Sequence, residues 1–505
     1  MVQVKHASKY KEWRHKYNWS TSRTGREEYG KFLLSVLTAE KNGFVLNLNG
    51  SWGSGKTQFL RRLYIELAEQ SYPVVYIDAW ESDFLQDPLV VVCTEILNQL
   101  GYLFDNAGKD GRKRGLVSKL KTNYADLQSS FDKLLKAGRS LSKGYELLSS
   151  DGTGSMIFGV VDSLAESASV LPKMKGVNET NLEILETLRG EQNQLVQAMK
   201  DIRNQVSIIS GIMHDLYELN LPLVIFVDEL DRCRPDYAIK MLEIIKHFFD
   251  VKGCAFLVAT DTEALEKSIK AVYGNEFASD RYLRRFFNQR IKLPKPSIYE
   301  FVSGRNIDFK SIQGAGLKLF PFNDPKIINR IISATLDRRE IELRDAEQVL
   351  GKIEASLNYI ASNRLRGASY INVAVLTYGI VEQHLGEVAF EGRTNRNINE
   401  INLKGIKLFD SIDIGDFINS QLKTVTISNS FQEYNFAGGS HHYNEARDIL
   451  TICATSTAKY SNREWSLIKA REDLREQFDS WKSNPGSHWL WGDYKSLIGL
   501  TSHIE

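Results

Sequence analysis

At 505 residues the chain is too long for one small domain, so two domains, or one large core with insertions, are expected. Its 42% hydrophobic and 25% charged residues fit a soluble globular protein and exclude a fibrous or disordered one. A formal net charge of +1 excludes any global attraction to nucleic acid or to a membrane, leaving only local patches.

The chain opens on a polar, basic stretch, Met1 to Tyr10, without the apolar core of a signal peptide. Cys93, Cys233, Cys254 and Cys453 are dispersed, with neither metal-ligand spacing nor a disulfide framework, which points to a reducing cytoplasm. Thr24 to Glu27 has the Thr-x-x-Glu pattern of a capping box, and apolar periodicity through Phe32, Leu33, Val36 and Leu37 predicts a helix after it. Phe44 to Leu48 reads as a buried strand, Gly50 to Thr57 as a glycine-rich turn and Phe59 to Glu69 as a helix. Pro73 to Ile77 reads as a second strand, and Pro88 opens a helix through Leu100.

From Tyr102 to Met213 the strand pattern lapses. Leu116 to Leu141 and Leu182 to Ile209 carry helical spacing, the second as a long helix or a coiled-coil arm. Ser155 to Leu171 is the best candidate for a membrane span, but Asp162 and Glu166 interrupt it and it is shorter than the roughly 20 apolar residues a crossing needs. No stable membrane span is expected. The basic cluster Lys109 to Arg114 reads as a solvated loop rather than a nucleic-acid contact, given the neutral total. Strands return at Leu221 to Val227, Cys254 to Ala259 and Arg290 to Leu293, with a helix from Tyr237 to Phe249. Strands alternating with helices predict a parallel α/β sheet. Beyond Ser297 the texture is mainly helical, with a few hairpins. His441 and His442 lack companion ligands at metal spacing, and the tail tryptophans Trp465, Trp481, Trp489 and Trp491, with Tyr494, read as core packing.

Gly50-Ser51-Trp52-Gly53-Ser54-Gly55-Lys56-Thr57 fits G-x-x-x-x-G-K-[ST] at every position, between a predicted strand and a predicted helix. The glycines permit close backbone approach, so amides converge on phosphate at the positive end of the following helix. On this reading residues 50–58, Gln58 included, hold a nucleoside triphosphate. Lys56 faces the β and γ phosphates, and the Thr57 hydroxyl binds Mg²⁺. Trp52 either packs the loop or stacks near the nucleotide, with packing favoured.

Leu223 to Val227 is an apolar run ending in Asp228 and Glu229. Ligands of open parallel sheets sit at the carboxyl ends of strands, so Asp228 is placed to hold Mg²⁺ and Glu229 to polarise the attacking water. Asp231 is a candidate for a supporting role around the metal, and Arg232 for a loop salt bridge or a reach to another subunit. Asp261, at the end of the next strand, reads as a γ-phosphate sensor or as a helix cap. Trp80 reads as core and Asp83 as part of the site rim.

The blocks NGSWGSGKT (Asn49 to Thr57), IDAWESDFLQDPL (Ile77 to Leu89), FVDELDRCRPDYAIKMLEIIKHFF (Phe226 to Phe249), FLVATD (Phe256 to Asp261) and YLRRFFNQRIKLP (Tyr282 to Pro294) resemble the KAP family of P-loop NTPases over residues 20–300. The resemblance implies an α/β P-loop sheet with an extra strand between the phosphate-loop strand and the Asp-Glu strand. It implies ATP and Mg²⁺ as ligands and a large helical insertion, which in many members carries membrane helices that this sequence lacks. It divides the chain into a core at 1–101 and 214–300, an insertion at 102–213 and a mainly helical C-terminal domain at 301–505. Soluble bacterial members of this kind occur in anti-phage defence operons, including the Qat type. The resemblance therefore implies a cytoplasmic ATPase working as a homo-oligomer with partner proteins of its operon. Arg284 and Arg285, in the last block, are candidates for an arginine finger acting on a neighbour's ATP or for local surface pairs. A nucleotide-dependent scaffold with negligible turnover, a membrane-attached organiser and a nucleic-acid-stimulated motor are the competing functions.

Overall fold

The computed structural model describes residues 7–39, 43–85, 88–105, 114–148, 179–247, 251–338, 340–363, 370–395, 397, 399, 401, 403, 405–409, 412–425 and 489–501. The chain divides into two compact units. The first comprises Met1–Ser22 and Arg26–Pro294, the second Arg23–Gly25 and Lys295–Glu505.

The first unit is built on five parallel strands: β1 (Phe44–Asn49), β2 (Val74–Asp78), β3 (Leu223–Asp228), β4 (Cys254–Thr260) and β5 (Gln289–Lys292), in the order β2-β3-β4-β1-β5. β4 lies between β1 and β3, where the extra strand was expected. Every residue of β3 and β4 is buried, which explains their unbroken apolar runs: helices cover both faces of a parallel sheet. β5 reads Gln-Arg-Ile-Lys and is largely exposed, as suits an edge. Asn47 is buried inside β1 because its amide donates to Val258 O at 3.2 Å and Thr260 Oγ1 at 2.8 Å, tying β1 to β4.

The helices of this unit are α1 (Ser8–Trp13), α2 (Glu27–Ala39), α3 (Lys56–Glu69), α4 (Ala79–Ser82), α5 (Pro88–Asp105), α6 (Arg114–Leu148), α7 (Glu179–Tyr217), α8 (Pro235–His247), α9 (Thr262–Tyr273) and α10 (Ser279–Leu283). α2 begins at Glu27, the last residue of the Thr24 to Glu27 stretch, and Gly25, at φ 63°, turns the chain two residues ahead of it. α3 begins at Lys56, three residues before the expected start, because Gly55 at φ 87° ends the loop there. α6 and α7, the expected helical stretches of the insertion, pair with each other along their lengths. Leu120, Leu127, Ala198, Ile202 and Val206 are buried. Among the described residues no helix is long and apolar enough to cross a membrane. Ser155 to Leu171, residues 109–113 of the basic cluster, His441, His442, Cys453, Trp465 and Trp481 lie outside the described residues.

The second unit is mainly helical: α11 (Ile298–Ser303), α12 (Phe309–Gly314), α13 (Pro325–Leu336), α14 (Leu343–Asn363), α15 (Val373–Leu385), α16 (Val388–Gly392), α17 (Ile414–Thr424) and α18 (Trp491–Thr501). Two small sheets accompany them. β6 (Lys318–Phe320) pairs in parallel with β7 (Tyr370–Asn372), and β8 (Lys407–Phe409) runs antiparallel to β9 (Ile412–Asp413). α15 is buried along most of its length, and Trp489, Trp491 and Tyr494 are buried in the same core.

Candidate functional site

The turn between β1 and α3 is shaped by its own sequence. Gly53 and Gly55 take φ 82° and 87°, angles that favour glycine. A Cβ on Gly50 would stand 2.8 Å from Ser54 Oγ and 3.2 Å from Lys56 Cγ. Gly50 N donates to Thr260 O at 3.0 Å, joining the loop to the end of β4. Lys56 Nζ donates to Gly50 O at 2.7 Å and Ser51 O at 3.3 Å, which folds the side chain over the loop. The first-turn amides of α3 have no carbonyl four residues back within the helix, so they remain donors for an anion.

β3 delivers the acids. Asp228 is 1% exposed; its Oδ2 accepts from Tyr76 OH at 2.7 Å and its Oδ1 from Glu229 N at 2.9 Å. Burial pushes the Asp228 carboxyl up to about 6, opposed by the hydrogen bonds from Tyr76 and Thr57. Glu229 leaves the strand at φ 60°, an unusual angle for a side chain of this size, and this turns its carboxylate toward the loop. Thr57 Oγ1 donates to Glu229 Oε1 at 2.9 Å, and Arg232 ion-pairs with Glu229 from the other side. Asp231, 5% exposed, faces Lys56 Nζ at 4.0 Å. Asp231 Oδ1 and Ser54 Oγ are buried without a hydrogen bond.

The structure therefore brings together Lys56, Thr57, Asp228, Glu229 and Asp231. Asp261 joins them through two contacts: Oδ2 accepts from Trp52 N at 3.1 Å, and Oδ1 caps α9 by accepting from Ala264 N at 3.2 Å. Gln58 lies exposed on the first turn of α3. Arg284 and Arg285 are exposed beside α10, where Arg284 pairs with Asp280 at 3.2 Å; among the described residues neither pairs with the phosphate loop. Two tryptophan expectations are corrected. Trp52 and Trp80 are 51% and 55% exposed instead of packed, and both rings lie near the Arg232 guanidinium, at 6.0 and 5.6 Å. The rim is closed by Asp83, whose Oδ1 accepts from Arg234 Nε at 2.9 Å.

Sequence reasoning missed two supports. Arg26 is 4% exposed and donates to Ser54 O at 2.8 Å and, through Nε, to Pro294 O at 2.9 Å, so it ties the phosphate loop to the end of the β5 segment. Tyr76, an aromatic within an apolar strand, looks like any core residue until its hydroxyl is seen to reach Asp228. No local pattern marks either.

The residues fit a magnesium nucleotide. Gly53 and Gly55 bring the loop backbone in without side chains, and Ser54 Oγ and Asp231 Oδ1 are among the buried polar atoms there that have no hydrogen bond. The Thr57 hydroxyl and Asp228 carboxylate are hard oxygen donors of the kind Mg²⁺ prefers. Among the described residues no cluster of three or more His, Cys, Asp and Glu could hold an ion by itself.

Comparison with known proteins agrees with this geometry. The model of the KAP family P-loop domain matches residues 26–354, well over half the chain and further toward the C-terminus than the resemblance read over 20–300. Phage T7 exclusion protein of Escherichia coli (strain K12) is 20% identical over 261 residues, an alignment covering 51% of this chain and 31% of that protein. The match thus spans about a third of that relative's length.

Proposed function

The chain belongs to the KAP family of P-loop NTPases, and from that premise we propose that it binds Mg·ATP at residues 50–58 and hydrolyses it. The observation that carries this reading is the facing of Lys56 and Thr57, on the loop and its helix, by Asp228, Glu229 and Asp231 at the end of β3. Lys56 holds the β and γ phosphates, while Thr57 and Asp228 hold the metal. Bound Mg²⁺ supplies charge neutralisation across those phosphates. Glu229 orients the attacking water and takes its proton. The exposed guanidiniums of Arg284 and Arg285 are available to a neighbouring copy.

One feature favours a second reading, a nucleotide-binding scaffold with little turnover. Glu229 is engaged at both oxygens, by Thr57 and by Arg232, and these contacts compete with a water for its carboxylate. A role in defence against phage is supported by the similarity to the phage T7 exclusion protein of E. coli.

Phosphate release from ATP, measured with Mg²⁺ and with EDTA, separates the readings. Metal-dependent release supports the enzyme, and metal-dependent binding without release supports the scaffold. Lys56→Ala removes charge-assisted hydrogen bonds and is expected to weaken nucleotide binding about 10- to 100-fold. Undiminished binding in that variant would overturn the site assignment.

A further inference from the structure

We infer that Tyr76 is a positioning residue for the Asp228 carboxylate, and that the N-terminal helix α1 braces it from behind. The inference rests on the reading of Asp228 as a metal-holding group.

Asp228 is pinned at both oxygens, by the Tyr76 hydroxyl at Oδ2 and by the Glu229 amide at Oδ1, so rotating the carboxylate breaks one bond or the other. A carboxylate oxygen has about two acceptor sites. With Thr57 as a third donor, about one of the four acceptor sites stays open for a ligand while the plane of the group is fixed. Tyr76 and Asp228 are each 1% exposed, so bulk water does not reach in to replace the phenol as donor.

The ring itself is held by its neighbours, and Arg61 also reaches the hydroxyl. Trp13 of α1 meets Tyr76 edge to face, with ring centroids 4.9 Å apart and planes at 85°. Lys9 Nζ of α1 lies 5.2 Å from the ring centroid, and the Arg61 guanidinium of α3 lies 5.9 Å from it. Arg61 is in turn held by Tyr17 OH at 2.9 Å. Trp13 and Tyr17 are 5% and 6% exposed. A continuous set of contacts thus runs from α1 through one phenol to the acid at the end of β3. Hydrogen bonds behind metal ligands orient them, and removing such a bond typically costs about 10- to 100-fold in metal affinity or activity.

The alternative is that the hydroxyl only satisfies a buried oxygen. Tyr76→Phe keeps the ring and removes the donor. Mn²⁺ affinity is read by electron paramagnetic resonance of the free ion, in the presence of a non-hydrolysable ATP analogue. The Mg²⁺ concentration for half-maximal phosphate release and the analogue's affinity in EDTA are read alongside. Both metal constants are expected to weaken about 10-fold, with the EDTA affinity unchanged. A lowered melting temperature with unchanged metal constants would reduce Tyr76 to a structural role and overturn the inference. Should Tyr76→Phe fail to fold, Trp13→Leu tests the brace: its metal constants are expected to weaken in the same direction by less, and unchanged constants sink the idea. Wild-type protein without metal-dependent nucleotide binding would overturn the functional reading and this inference with it. Wild-type protein that binds Mg·ATP, with Tyr76→Phe unaltered, overturns this inference alone.

Discussion

Each unit buries a cluster of charged groups, and the two clusters are finished differently. At the carboxyl edge of the five-stranded sheet the polar groups are incomplete. Asp231 Oδ1 and Ser54 Oγ are buried without a hydrogen bond, and the Lys56 ammonium is shared between two loop carbonyls with Asp231 4.0 Å away. In the second unit Glu382 and Arg393, both 0% exposed, form a two-pronged ion pair in which Arg393 Nη2 donates to Glu382 Oε1 at 2.8 Å. The Trp491 indole donates to Arg393 O at 3.1 Å, and its ring lies 4.7 Å from the guanidinium. Burial of charge is therefore common to scaffold and site. What separates them is whether the partners are all present: a closed set fixes a core, whereas an open set has places that a ligand can fill.

The largest effect that tests this contrast lies in the closed cluster. Arg393→Ala leaves Glu382 buried and unpaired, and removing one partner of such a pair costs about 3–5 kcal/mol. Chemical denaturation should register that loss in the second unit, while nucleotide affinity measured on the folded protein should stay at the wild-type level. A fall in affinity of the same size as the stability loss would break the division between scaffold and site.

In the open cluster the largest effect should fall on turnover instead. Glu229→Gln keeps the shape and removes the base, so phosphate release should drop at least about 100-fold with nucleotide binding preserved. The melting temperature should move little, because the amide can still accept from Thr57. Retained turnover would remove Glu229 from its role.

The contrast also explains what was legible from sequence. The strands were, because a parallel sheet covered on both faces demands unbroken apolar runs such as those of β3 and β4. The phosphate loop was, because its chemistry is compressed into eight consecutive residues. The supports were not. Arg26 acts on Ser54 and on Pro294, across separations that no local pattern spans. Trp52 and Trp80 were read as packed because tryptophan is mostly buried on average, yet here both stand at the rim near Arg232. The parallel pairing of β6 with β7 was equally hidden, since two three-residue strands far apart in sequence have no periodicity to announce them.

A third test uses pH. Burial raises Asp228 from its ordinary value of 3.8 to about 6 in the folded chain. A carboxyl raised on folding is protonated at less cost in the folded state. Its stabilising share is fully present below about pH 4 and is lost as pH rises through about 6. At about 1.36 kcal/mol per unit, the share is on the order of 2–3 kcal/mol. Metal-free protein should therefore lose stability across that interval, and Asp228→Asn should flatten this part of the curve. An unchanged slope in the variant would assign it to other groups.

The smallest effect concerns Asp261, which stands between the two kinds of cluster. Its Oδ1 completes the first turn of α9, a closed structural duty, while its Oδ2 holds the Trp52 amide of the loop, next to the open site. Loss of an N-cap costs about 1 kcal/mol, so Asp261→Ala should lower stability by that amount. Freeing the Trp52 amide should also loosen the loop, and ATP and ADP affinities should then weaken together by a few-fold, about what one hydrogen bond contributes. A γ-phosphate sensor predicts something else: ATP affinity or turnover falls while ADP affinity holds. Paired measurements on the two nucleotides decide between them, since a strap on the loop cannot distinguish ligands that differ only in their terminal phosphate.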